Sequence, residues 1–171
     1  MIGDREAHVA GGAGGPLALL RTGAAAAARD DREAAESAYR AAAAAGHPDH
    51  TANAWFNLGT LYQRHGDATM AVTAYRVAIG LRHPQFSPKA AVNLGYVLFT
   101  ELGDIAGART AFAAAIASGH PVQARLAADN LAAMEQIAAA DHLEPLDDGV
   151  NVADGRGPGR LKFRIWRRPE E

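Results

Sequence analysis

The sequence predicts an all-α protein built as a stack of helical hairpins, a short α-solenoid. Three observations carry this. Tyr39, Tyr75 and Phe112 recur at steps of 36 and 37 residues, and so do His47, His83 and His120. Pro48, Pro84 and Pro121 keep the same step, as do Asn57, Asn93 and Asn130, with Asp30, Asp67 and Asp104 close to it. Alanine, the strongest helix former, makes up roughly a quarter of the chain. Five registers on one period point to a repeat, in which each unit buries its apolar face only by stacking on its neighbours.

The elements follow in order. Residues 1–15 form a glycine-rich lead-in, and a first helix is expected over about 16–29. Asp30 with Glu33 forms a capping-box-like start for a second helix over about 31–45. Gly46 is suited to a left-handed C-terminal position, and Pro48 stops continuation. A third helix, about 51–65, ends at Gly66, and Asp67 caps a fourth over about 67–82. Ser87-Pro88 reads as N-cap and first residue of a fifth helix, about 87–102. Gly103 ends it, Asp104 caps a sixth helix to about 118, and a seventh, over 121–141, closes the stack as an unpaired cap.

The best unit holds Trp55, Leu58, Gly59, Tyr62, Gly66, Ala71, Tyr75 and Ala78. It resembles the tetratricopeptide repeat, whose signature places Trp, Leu, Gly, Tyr, Gly, Ala, an aromatic and Ala at those positions. The next unit keeps Leu94, Gly95, Gly103, Ala108, Phe112 and Ala115, with Ala91 in place of the Trp. The first keeps Gly23, Ala35, Tyr39 and Ala42. The period slightly exceeds that family's, and "AAAAAGH" before "NLGTLY" is similar also to Sel1-like repeats. The resemblance spans residues 16–141. It implies a right-handed α-solenoid of about three helix pairs plus a capping helix, and a non-catalytic adaptor that binds a protein partner.

A helical wheel locates the surface such an adaptor would use. Trp55, Leu58, Gly59 and Tyr62 share one apolar stripe, with Gly59 letting the partner helix and Tyr75 come close. Asn57 stands about 200° from Trp55, on the side of Asn53, Thr60 and Arg64, with Phe56 and Gln63 at its margins. The next unit places Lys89, Asn93 and Tyr96 there, flanked by Phe99, and the last contributes Asn130. In tetratricopeptide proteins this side lines a concave groove, which implies an asparagine ladder along Asn57, Asn93 and Asn130. A carboxamide both donates and accepts, so it can pair with the backbone of an extended peptide, and Phe56, Tyr96 and Phe99 can anchor its side chains. The same asparagines can instead bond a neighbouring helix and fix the stacking register. A carboxylate clamp is not implied: Asn57 and Lys89 match it, but Leu20, Ala24 and Asn93 hold its other positions.

Other classes of function find little support. A net charge of −2 and a pI near 6.4 give no general attraction to nucleic acid or anionic membrane. The absence of cysteine removes thiolate nucleophiles, disulfides and Cys-based zinc sites. His47, His83 and His120 sit one per repeat, too far apart to share an ion, so no metal or cofactor is expected. Nucleophile-elbow, P-loop and His-Glu-x-x-His patterns are missing, and no enzyme is expected. With no apolar stretch of about 18 residues and no signal-peptide h-region, a cytoplasmic protein is expected. Only two lysines, Lys89 and Lys162, stand beside many arginines, a bias that suits a GC-rich genome, and a bacterial protein is expected.

Residues 142–171 form a separate tail. "EPLDDGVNVADG" is an acidic, turn-rich linker. Leu161, Phe163 and Ile165 then alternate with polar residues up to Trp166, a strand-like period. Arg160, Lys162, Arg164, Arg167 and Arg168 offer the only feature suited to nucleic acid or anionic lipid. A further alternative is self-association through a terminal repeat or through this strand.

Overall fold

The asparagines and aromatics are set by seven helices in a computed structural model that describes residues 14–141. They are α1 (Pro16–Ala28), α2 (Arg32–Ala44), α3 (Pro48–Arg64), α4 (Ala68–Gly80), α5 (Phe86–Thr100), α6 (Ile105–Ala117) and α7 (Pro121–Asp141). The expected strand at Leu161–Trp166 and the cations around it lie outside the described residues.

Turn chemistry separates the helices. Asp31, Asp67 and Asp104 each accept a hydrogen bond from the backbone N–H three residues on, at 3.1, 3.3 and 2.8 Å. This satisfies one of the donors that a helix start leaves unpaired. Asp31, not Asp30, is therefore the cap of α2. Asp30 takes the left-handed place at φ +60°, which Gly66 holds at +74° and Gly103 at +66° in the later units. Aspartate tolerates that region better than most residues. Gly46, as expected, fills the corresponding place after α2, and Gly119 does so after α6. Pro48 and Pro121 are helix-initiating rather than merely blocking residues, since a first-turn proline forfeits no bond.

The loop after α4 lacks that glycine and puts Arg82 at φ +53°. A Cβ in this region costs roughly 1 kcal/mol. Arg82 is exposed, so Arg82→Gly is expected to stabilise the fold by about 0.5–1 kcal/mol, read as a raised urea midpoint at constant slope. A lowered midpoint would count against this reading of the turn.

Helices pair in sequence as antiparallel hairpins, α1 with α2, α3 with α4 and α5 with α6, and α7 packs on α6 and α5. Each hairpin closes on one small-to-large contact. A Cβ added at Gly23, Gly59 or Gly95 would come within 2.5–2.6 Å of the ring of Tyr39, Tyr75 or Phe112. The aromatic of each second helix thus lies directly on the backbone of the first. Ala35, Ala71 and Ala108, with Ala42, Ala78 and Ala115, are fully buried and keep the second helices equally close.

Successive first helices also touch, α1 with α3, α3 with α5 and α5 with α7, whereas α2, α4 and α6 do not touch one another. The stack therefore bends with α1, α3, α5 and α7 on its inner side. Between units, Arg32 Nη2 donates to Asp67 Oδ2 at 3.3 Å and Arg40 Nη2 to the Tyr62 hydroxyl at 3.2 Å.

Candidate functional site

The inner side has a buried floor and a half-open rim. On α3, Asn53 and Asn57 are one turn apart and half-buried, and Asn57 Nδ2 donates to Asn53 Oδ1 at 2.9 Å. Thr60, also half-buried, donates through Oγ1 to the Phe56 carbonyl at 3.1 Å. Arg64 is exposed, with Nη2 3.7 Å from Asp30 Oδ1 of the preceding turn. On α5, Lys89 Nζ lies 5.3 Å over the Phe86 ring, and Tyr96 and Phe99 are half-buried against the core.

Asn93 and Asn130 are not an open ladder with Asn57: they are 1% and 3% exposed. Asn93 Nδ2 donates to the Tyr75 hydroxyl at 3.2 Å, and that hydroxyl donates to Gln63 Oε1 at 2.8 Å. The Thr60 hydroxyl is also near, at 3.4 Å. This asparagine ties α5 to the second helix of the preceding hairpin, the stacking use of a buried carboxamide. Phe56, expected at the groove margin, is likewise interior at 2% exposure. Its ring centroid is 6.2 Å from that of Tyr75 and 6.0 Å from that of Phe86. The same contact draws the start of α5 back to Phe86, ahead of the Ser87-Pro88 start expected from sequence. Ser87 Oγ instead donates to the Ala78 carbonyl at 2.9 Å. Trp55, placed on the core stripe, is only partly buried.

Burial pushes the Tyr75 phenol up to about 12, a rise partly offset by its hydrogen bonds with Thr60 and Asn93. A raised folded-state value favours the protonated form. The stabilisation is complete below the usual tyrosine value near 10 and is lost as pH climbs toward 12. Stability is therefore expected to fall between about pH 10 and 12, and Tyr75→Phe should flatten that slope. At neutral pH the same variant should cost about 1–2 kcal/mol, because Asn93 and Gln63 lose their shared partner. An unchanged alkaline slope would remove Tyr75 as its source.

The histidines act at the turns. His83 Nδ1 accepts from the Gln85 and Phe86 N–H groups at 3.1 and 3.4 Å, and His120 Nδ1 from Gln123 N–H at 3.4 Å. His83 Nε2 lies 3.3 Å from Asp49 Oδ1, and no three potential ligands converge on a metal position among the described residues. Two features escaped the sequence reading. The Tyr75 hydroxyl is the hub of the floor, where only its ring was expected to matter. Arg21 stands on α1 at the place Asn57 holds one unit later, a match visible by stepping back 36 residues.

Residues 52–82, almost the whole of the α3–α4 hairpin, match the tetratricopeptide repeat family. The Sel1-like resemblance finds no corresponding match. A search of curated proteins returned nothing significant. No helix among the described residues is long and apolar enough to cross a membrane.

Proposed function

Because the chain carries a tetratricopeptide repeat, a unit that generally serves protein–protein interaction and usually has no catalytic role, we propose that its inner face is the binding surface. The occupant is an extended segment of a partner protein. One observation carries the reading. The rim residues Asn53, Asn57, Thr60, Lys89, Tyr96 and Phe99 keep part of their surface open, although they stand on the helices that touch from unit to unit.

The roles divide by burial. Asn53 and Asn57 present carboxamides that pair with main-chain groups of the segment, and Arg64 and Lys89 meet its charges. Tyr96 and Phe99 bring the apolar area that dominates most interfaces. Asn93, Asn130 and Phe56 hold the floor on which these side chains rest. Three first helices at spacings of about 8–10 Å leave room for roughly six to eight extended residues.

Affinity capture with the intact protein and with Asn53→Ala/Asn57→Ala tests the assignment. The variant should keep its helicity and lose at least half of the captured protein. Undiminished capture by a folded variant would remove the amide pair from the site.

A further inference from the structure

The charges of the inner face select a kind of segment. Each of the first three inner helices carries one cation at a rim position: Arg21 on α1, Arg64 on α3 and Lys89 on α5. The fourth, α7, carries both a cation and an acid, Arg125 and Asp129, each exposed. Residues 142–155 of the same chain, "HLEPLDDGVNVADG", hold Glu144, Asp147, Asp148 and Asp154 and no lysine or arginine. Leu143, Leu146, Val150 and Val152 alternate with these acids and suit the Tyr96 and Phe99 rings. We propose that the inner face binds this acidic stretch of its own chain, which thereby regulates access of the partner. The proposal rests on the inner face being the binding surface.

Distance permits it. α7 ends at Asp141, and Thr60 on α3 corresponds to Ala133 on α7, eight residues earlier. Two helix spacings and about 12 Å of helix rise separate these points by roughly 23 Å. Eight extended residues beyond Asp141 reach about 27 Å, so Gly149 can lie over Thr60 with Asp147 and Asp148 near Arg64, one helical turn on. Tethering gives the acidic stretch a local concentration of millimolar order, so a partner must outbid a covalently held competitor.

The cysteine-free sequence makes a clean test. In the full chain, Thr60→Cys with Gly149→Cys should form an intramolecular disulfide under oxidised glutathione, at a rate independent of protein concentration. Asp147→Lys/Asp148→Lys should slow it at least tenfold, and adding Arg64→Glu/Lys89→Glu to those should restore it. Asn57→Cys in place of Thr60→Cys should give the same order of rates and covers the case in which the first pair perturbs folding. Rates indifferent to the charge swap, or disulfides formed only between chains, would overturn the proposal. If that happens while Tyr96→Ala/Phe99→Ala still abolishes partner capture, the inner face remains the binding surface and only its internal occupant falls.

Discussion

Gly59→Ala is expected to lower the unfolding free energy by about 2–3 kcal/mol and the melting temperature by roughly 10 °C. The added methyl would stand 2.5 Å from two ring carbons of Tyr75. That ring cannot withdraw cheaply, because Tyr75 is fully buried and its hydroxyl is tied to Gln63 and Asn93. Moving it would break the floor of the inner face and push α4 away from α3. The gain in helix propensity, about 1 kcal/mol, opposes the clash without cancelling it. Gly95→Ala should behave alike against the Phe112 ring, which lies 2.6 Å from the added carbon. Gly80, also helical, has nothing within 4 Å of an added Cβ, so Gly80→Ala should stabilise by up to about 1 kcal/mol. Melting curves of the three variants therefore separate propensity from packing. Equal effects at Gly59 and Gly80 would mean that the ring-on-backbone contact does not hold the hairpins together.

Tyr96→Ala/Phe99→Ala is expected to weaken partner binding at least about 30-fold, the loss of roughly 2 kcal/mol. Both rings are half-buried, with part of each packed on the core and part open on α5, one of the inner helices. Truncation removes the open area and some packing, so stability should fall as well. Circular dichroism and a melt distinguish a folded, non-binding protein from an unfolded one. Met70 and Val77 on the outer side of α4 are exposed to a similar degree, at 36% each. Met70→Ala/Val77→Ala should leave binding unchanged. If the outer pair abolishes capture and the inner pair does not, the partner sits on the other side of the stack.

The hairpins were legible because their contacts are short-range in repeat space. A glycine, an aromatic 16 or 17 residues later and an aspartate between them mark a complete hairpin, and three copies removed the ambiguity of any one. The cap of α2 was misplaced by one residue because two aspartates adjoin, and a uniform step of 37 selects Asp30. The first unit is one residue shorter, which moves the capping function to Asp31 and leaves Asp30 to do the work of a glycine. The start of α5 depended on Phe86 meeting Phe56, a tertiary contact that no capping signal encodes.

The site was legible by side but not by depth. A wheel gives the direction of Asn57, Asn93 and Asn130, which share one register, yet Asn57 stays half-open while the other two are sealed. Asn57 bonds Asn53 on its own helix, whereas Asn93 is held from beneath by the Tyr75 hydroxyl of the preceding hairpin. The depth of an asparagine in a ladder thus depends on a partner from another hairpin, which a period cannot supply. Phe56 follows the same logic, since two rings from α4 and α5 close over it.

The most direct measurement is site-specific photo-crosslinking in the intact protein, with a photoreactive phenylalanine at Tyr96 in one variant and at Val77 in another. Binding on the inner face predicts an adduct with a second protein from position 96, suppressed by Asn53→Ala/Asn57→Ala, and none from position 77. An adduct from position 77 alone would contradict it.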